Sequence, residues 1–302
     1  MVGEGTDATL ADTDEMIVKP AFGRLAASHI GEYLLRRGIR WQRTLRLDRV
    51  DTIILQAVTS ANLAHLPLRD ASLEVPNGHR RPTSVLAVSL SMGFSYATVR
   101  KRVHALVGRE VLRSSASGYI APVEPLIYGA PDALVEQDCT ALHALLDMMR
   151  SQGFQSLPET NRGASSARVG RAIVDFAVRS LEGFAEQHGS VTTGSIWAAI
   201  ISANVRDLLS NGQLPDGYAE ASQPLPDRVR RPVSLRKLAA EVNLPFETVR
   251  RHVLAMAGRG SVMIGESGVI VPTSALTTPQ QIARSRLNIG YLRRLFDTVG
   301  AA

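Results

Sequence analysis

An internal repeat constrains the fold of this 302-residue chain more than any other feature. The segment Arg80–Leu126 aligns with Arg230–Leu276 at a constant offset and without a gap. A repeat of this length predicts a duplicated structural unit, because each copy has to bury the same apolar positions. The residues that are identical at this offset include Arg80, Arg81, Pro82, Ser84, Thr98, Val99, Arg100, Val103, Ala105, Gly108, Arg109, Gly118, Ile120, Pro122 and Leu126.

The repeat also predicts how the chain is organised. Residues 1–18 contain five acidic residues and little apolar content, which predicts a disordered acidic tail. We expect residues 19–150 to form the first unit and residues 168–302 the second. The stretch 151–167 is rich in Gly, Ser, Pro and Asn, which is typical of a linker.

The pattern inside each copy predicts two short helices joined by a tight turn. Ser84 and Ser234 are suited to cap the first of these helices, because their hydroxyls can accept a bond from a free backbone N–H. Gly93 and its counterpart Asn243 tolerate the positive φ that such a turn often needs. The next helix then begins at Ser95 or Pro245 and buries a stripe of apolar residues, namely Val99, Val103 and Leu106 or Val249, Val253 and Met256.

Two short β-branched runs follow this helix in each copy. Glu110–Arg113 and Tyr119–Ala121 form the first pair, and Ser261–Ile264 and Val269–Val271 form the second. A polar turn separates the two runs of each pair, which predicts a small β-hairpin. The predicted fold class is therefore mainly α, with a small β-hairpin after each helix pair.

This order of elements resembles a winged helix-turn-helix. The second copy reads SLRKLAAEVNLPFETVRRHVLAMAGRGSVMIGESGVIVP and is similar to the DNA-binding domains of bacterial regulators of the GntR and MarR type. The first copy departs from it at Ser89, Ser91 and Ser95. The resemblance implies two tandem winged helix-turn-helix units from an internal duplication. It also implies a transcriptional regulator that binds double-stranded DNA through a recognition helix in each unit.

The distribution of charge agrees with a polyanionic partner. The chain has a net charge of +6. Residues 78–113 contain seven Lys or Arg and one acid, and residues 228–259 contain eight and two, so each window carries +6. The rest of the chain must then sum to −6. Basic residues are thus concentrated in the two predicted DNA-binding regions.

The predicted DNA contacts divide into two classes. The exposed face of each recognition helix is expected to meet base edges in the major groove, with Arg100 and Arg250 as the main candidates. Arginines before the helix pair, and those after the recognition helix, are expected to contact phosphates. The full set is Arg80, Arg81, Ser95, Tyr96, Ala97, Thr98, Arg100, Lys101, His104, Arg109, Arg230, Arg231, Phe246, Glu247, Thr248, Arg250, Arg251 and Arg259.

The sequence indicates neither an enzyme nor a cofactor. The single cysteine, Cys139, cannot form an intrachain disulfide, and the histidines have no metal-binding spacing. No phosphate-binding loop or nucleophile motif occurs.

No apolar run is long enough to span a bilayer, and the N-terminus does not resemble a signal peptide. We therefore expect a cytoplasmic protein associated with the nucleoid. Trp41 and Trp197 are expected to be core or interface residues.

Two other functions fit the same pattern. A plasmid-type replication initiator also resembles two winged helices in one chain, and tandem winged helices also occur in protein-interaction scaffolds. Glu266, at the tip of the second wing, would repel phosphate, and the tip of the first wing is all Ser and Ala, so the wings are not expected to follow the minor groove. Some winged helices bind proteins instead of DNA, and the fold alone does not decide between these functions. Further expected partners are RNA polymerase or another protein. Two recognition helices make one chain a pseudo-dimer, which further dimerisation could extend.

Overall fold

The computed structural model describes residues 20–68, 72–124, 134–151, 165–210 and 225–301. The predicted acidic tail, residues 1–18, lies outside these ranges, as does most of the predicted linker. In chain order the elements are α1 (Pro20–Leu45), α2 (Arg49–Leu63), α3 (Val85–Met92), α4 (Tyr96–Gly108), β1 (Arg113–Ser115), β2 (Gly118–Ile120), α5 (Leu134–Ser151), α6 (Ser166–His188), α7 (Val191–Ser210), α8 (Leu235–Val242), α9 (Phe246–Ala257), β3 (Met263–Gly265), β4 (Gly268–Ile270), α10 (Thr273–Leu276) and α11 (Pro279–Ala301).

The described residues are therefore mainly helical, with two small antiparallel strand pairs, as the sequence predicted. Two segments share an order of elements, namely one helix, a pair of short helices and an antiparallel strand pair. The first segment (residues 49–124) comprises α2, α3, α4 and the β1–β2 pair, and the second segment (residues 191–276) comprises α7, α8, α9, the β3–β4 pair and α10. In each segment a 3-10 turn precedes the pair of short helices.

The predicted helix caps and turns are confirmed. The Oγ atoms of Ser84 and Ser234 accept bonds from backbone N–H groups three residues ahead, and Ser95 caps α4 in the same way. Gly93 has a φ of 65° and Asn243 a φ of 51°, so both adopt the left-handed conformation expected of the turn. These local signals fix where α3, α4 and α8 begin or end.

The first strand of each hairpin begins later than the sequence predicted, and the second strand begins one residue earlier, at Gly118 or Gly268. The first was expected from residue 110, but the N–H groups of Glu110, Val111 and Leu112 bond to carbonyls of the last turns of α4. Glu110 has a φ of 59°, which turns the chain away from the helix axis. The β1–β2 pair therefore begins at Arg113, opposite Ile120. In the second segment Ser261 likewise bonds to Met256 O, and β3 begins at Met263.

The packing of the helices crosses the boundary predicted at 151–167. One core cluster contains residues of α2, α3 and α4 together with residues of α1, α5, α6 and α11. A second cluster contains residues of α7, α8, α9 and the second hairpin. The helices α6 and α11 thus belong to the second predicted unit but pack in the core of the first. The predicted linker divides the sequence, but it does not separate two independent cores.

Contacts at the two turns position one helix pair relative to the other. In the first segment, Gly93 packs against Ala185, Gly189 and Ser190, at the junction of α6 and α7. In the second segment, the turn after α8 is bonded to the end of α1 and the start of α2, where Asn243 Nδ2 donates to Gln42 Oε1. Each turn therefore contacts the half of the chain to which it does not belong.

Candidate nucleic-acid interface

The helix α4 presents one polar face to solvent. Its apolar stripe, Val99, Val103 and Leu106, is fully buried, as the sequence predicted. Because a helix places these positions on one side, the opposite side has to face outward. This outward face lines a shallow surface depression and consists of Tyr96, Ala97, Arg100, Lys101 and His104. It carries two cationic side chains and no acid.

The corresponding face of α9 has a different charge pattern. Its buried stripe is Val249, Val253 and Met256. The outward side chains are Phe246, Glu247, Arg250, Arg251 and Leu254, all of which are exposed. Arg250 Nε lies 2.9 Å from Glu247 Oε2, so one of the two arginine charges on this face is already paired. The two faces therefore differ in charge and shape.

The arginines that precede the short helices have two different environments. Arg81 and Arg231 are exposed, and their backbones are bonded to Asn62 and Asn204. By contrast, Arg80 is only 3% exposed. Its guanidinium donates to the carbonyls of Leu73, Val75 and Ala121, and burial lowers the pKa of Arg80 to about 10.

Arg230 is buried in the same position of the second segment. It is 5% exposed, donates to Leu225 O at 3.0 Å and lies 3.6 Å from Asp227 Oδ1. The burial of both side chains corrects the prediction that Arg80 and Arg230 contact phosphates. These arginines hold the loop before the helix pair by binding its backbone carbonyls.

Buried asparagines support the same loops. Asn62 Nδ2 donates to Arg81 O and Tyr119 O, and Asn62 Oδ1 accepts from Ala121 N. Asn204 makes the three corresponding bonds, to Arg231 O, Val269 O and Val271 N. Each asparagine thus joins a long helix to the hairpin and to the residues before the short helices. The tripeptide Ser-Ala-Asn occurs at residues 60–62 and again at residues 202–204, and this repeat in the sequence corresponds to the shared role of the two asparagines.

Several other predicted contacts already have protein partners. Arg109 is exposed, but Nη2 donates to Arg46 O at 2.9 Å. The hydroxyls of Ser95 and Thr98 lie 2.8 Å apart at the exposed start of α4. Thr248 is half-buried, whereas Arg259 is exposed. The residues that remain best placed for an external ligand are Arg81, Arg231 and the outward faces of α4 and α9.

Sequence reasoning did not identify the contacts that orient these two helices. Arg102 of α4 forms ion pairs with Asp48 and Asp51 at the start of α2. The equivalent residue of α9, His252, instead bonds through Nδ1 to Thr193 Oγ1 at 2.9 Å. His252 is half-buried, and burial lowers its pKa. The aligned positions were visible in the sequence, but their contacts were not.

Two exposed cations on α8 extend the positive surface of the second segment. Arg236 and Lys237 lie in the first turn of α8 and are exposed. The corresponding residues of α3 are Leu86 and Ala87, so the first segment lacks these charges. The basic window found in the sequence included Arg236 and Lys237, but the alignment gave no reason to single them out.

Within the described ranges, no helix is long and apolar enough to cross a membrane. The same residues contain no group of three or more His, Cys, Asp or Glu side chains that could hold a metal ion. Cys139 is buried, and burial raises the pKa of its thiol to about 12.

Comparison of the chain with protein-family models, with curated proteins and with solved structures finds no match.

Proposed function

We propose that this protein is a sequence-specific regulator of transcription that binds double-stranded DNA with two winged helix-turn-helix units, which arose by internal duplication. The observation that carries the proposal is the outward face of α4. It combines Arg100 and Lys101 with Tyr96 and His104 on one exposed helix that directly follows a tight turn. The major groove admits an α-helix, and an arginine there can donate two bonds to guanine.

The second segment supports the proposal with the same geometry. The helix α9 also follows a tight turn, and Arg250 and Arg251 lie on its outward face. Because α4 and α9 present different side chains, the preferred DNA site is expected to be asymmetric or an imperfect repeat. One chain with two such helices is a pseudo-dimer, a role that pairs of identical subunits fill in many DNA-binding proteins.

Binding to selected DNA is the direct test. Preferred duplexes would be selected from a random library with the full chain, and their affinity measured at several salt concentrations. We expect log affinity to fall linearly with log salt, since binding to roughly 6–10 phosphates releases counterions. The double substitution of Arg100 and Lys101 by Ala should weaken binding, whereas Arg286→Ala, which removes an exposed cation from α11, should not. A salt-independent affinity would contradict the proposal.

One observation favours a protein partner as a second function. The helix α3, next to α4, exposes Leu86 and Leu90 by 55% and 75%. The corresponding positions of α8 are Arg236 and Ala240. Exposed leucines one turn apart on a helix are typical of a surface that binds another protein. If Leu90→Glu abolishes co-purification of a cellular protein and leaves duplex affinity unchanged, the first segment also serves as a protein-interaction site.

A further inference from the structure

A cavity of about 80 Å³ lies where the two halves of the chain meet. The helices α1 and α2 form its wall on one side, and α6 and α7 form it on the other. Most of the lining is apolar or small, but Arg37, Arg49 and Ser195 also contribute to it. Small-molecule sites in proteins commonly have this composition, with few polar groups in a mainly apolar wall.

Polar groups of this cavity lack hydrogen-bond partners among the described residues. Arg37 is 1% exposed; its Nε donates to Asp138 and its Nη1 to Gln56, but its Nη2 has no partner. Ser195 is 5% exposed, and its Oγ has no partner. Arg49 donates through Nη1 to Val242 O at 3.0 Å, whereas its Nε is buried without a partner. Buried polar groups of native proteins are nearly all bonded, so these donors point to a missing acceptor.

The charge around the cavity indicates that this acceptor is an anion. None of the described residues that line the cavity is acidic, and Glu32, which accepts a bond from the lining residue Ser202, is paired with Arg36 and Arg206. Asp138 pairs with both Arg37 and Arg40, and Arg49 has no carboxylate partner in the described part of the chain. Burial lowers the pKa of Arg49 to about 10, which reflects the free energy of keeping this charge uncompensated. An anion beside Arg49 would remove that penalty.

We propose that the cavity binds a small organic carboxylate. A guanidinium presents its N–H groups as a planar fork that matches the two oxygens of a carboxylate, and a serine hydroxyl can add a third bond. The volume corresponds to roughly five to eight water-sized spheres. This size fits an acid of two to four carbons. Arg49 and Arg37 supply the charge, Ser195 contributes its hydroxyl, and the apolar wall encloses the carbon chain.

The site is connected to the second helix pair. Arg49 binds Val242 O, and Gln42, which also lines the cavity, accepts the bond from Asn243. Val242 is the last residue of α8, and Asn243 begins the turn that leads to α9. A bound carboxylate that draws Arg49 or Gln42 toward the cavity therefore changes how this turn is held. If the protein binds DNA as proposed, the bound carboxylate would alter duplex affinity through α9.

Binding is measured first in the absence of DNA. Calorimetry of the full chain would use sodium acetate, pyruvate and succinate as probes, with acetamide and succinamide as neutral analogues and sulfate as an inorganic anion. We expect at least one carboxylate to bind, and the amides not to bind. Ser195→Ala should weaken binding about tenfold, the effect of one bond to a charged group. Arg49→Met should abolish it, while Arg286→Ala should leave it unchanged.

Two further outcomes would overturn the site. If no carboxylate binds, or if sulfate alone binds, the cavity holds only water or an adventitious ion. If Ser195→Ala and Arg49→Met both fold and bind the carboxylate with full affinity, the ligand occupies another place.

Duplex affinity with and without the carboxylate is then a separate measurement. A chain that binds the carboxylate but no DNA would contradict the proposed function and leave the anion site intact.

Discussion

Asn243 Nδ2 donates a 2.8 Å hydrogen bond to Gln42 Oε1, and this bond joins the turn between α8 and α9 to the far end of α1. In the first segment, a Cβ added at Gly93 would lie 3.2 Å from Ala185 Cβ and 3.3 Å from Gly189 O. Both turns are therefore in close contact with the opposite half of the chain. We infer that the relative orientation of α4 and α9 is built into the packing of the long helices.

Substitution of Arg80 and of Arg81 should have different effects on the free energy of unfolding. Arg80→Ala should lower the free energy of unfolding by roughly 2–3 kcal/mol, because the carbonyls that it bonds lose a charged donor. Arg81→Ala should change stability by less than about 0.5 kcal/mol, since its side chain is exposed. Urea unfolding of both variants measures the difference. Equal stabilities would contradict the structural role of Arg80.

The exposed arginines before the short helices should affect DNA binding in a different way from Arg100. We expect Arg81→Ala and Arg231→Ala to weaken binding to all duplexes about equally, since phosphate contacts carry no sequence information. Arg100→Ala should instead relax the preference at one base position, where an arginine contact contributes roughly 1–3 kcal/mol of discrimination. Selection from random duplexes with each variant distinguishes these results. A variant at Arg100 that keeps the parental motif would show that this residue does not contact bases.

The ion pair on α9 predicts that a substitution can raise affinity. Glu247 pairs with Arg250 on an exposed face and would itself be repelled by phosphate. Glu247→Gln should therefore increase duplex affinity several-fold and steepen its salt dependence by about one counterion. The matched control is Glu266→Gln, which removes an exposed acid from the tip of the second hairpin. If only the Glu266 substitution raises affinity, the hairpin contacts DNA and α9 does not.

Acidic pH should destabilise the chain through His188. Its ring lies 4.8 Å from the Trp197 ring, and burial, with a smaller contribution from Arg259, lowers the pKa of His188 to about 4. The unfolded imidazole regains a pKa near 6.5, so between these values the unfolded state binds more protons. The free energy of unfolding should therefore fall as the pH drops through this window, by at most roughly 3 kcal/mol.

The check is urea unfolding at several pH values between 8 and 4.5. His188→Phe keeps an aromatic ring beside Trp197 and removes the titrating group, so its stability should depend less steeply on pH. His79→Gln is the control, because His79 is exposed. A His188→Phe variant with the same pH profile as the parent protein would show that other groups, such as His252, cause the acid sensitivity.

Local features of the fold could be predicted because they depend on neighbouring residues. The serine caps, the turn at Gly93 and the buried stripe of α4 follow from spacing and backbone preference alone. The burial of Arg80 could not be predicted, since a paired Arg-Arg-Pro motif looks the same whether the first arginine faces solvent or three backbone carbonyls. The packing of α6 and α11 in the first core depends on contacts between distant segments, which periodicity does not specify.

The packing of α6 and α11 in the same core as the first segment decides how the outward faces of α4 and α9 should be tested. Residues 19–150 and 168–302 cannot be separated without exposing buried side chains of α6 and α11, so the full chain is required. We expect Arg100 and Lys101 to act together with Arg250 and Arg251 on one DNA site, since both pairs lie in one chain whose two turns contact the opposite half.

The double substitution of either pair by Ala should then reduce affinity by about 10²–10⁴, because the second contact of a tethered pair is intramolecular. Footprints of the parent chain should show two protected segments about one helical turn apart, or a multiple of that spacing. Each double variant should lose one segment and bind the other weakly. Asn243→Gly, which keeps the positive φ but removes the bond to Gln42, should retain both segments and tolerate altered spacing between them. If one double variant keeps the parental footprint and affinity, the corresponding helix does not contact DNA, and its exposed face serves another partner.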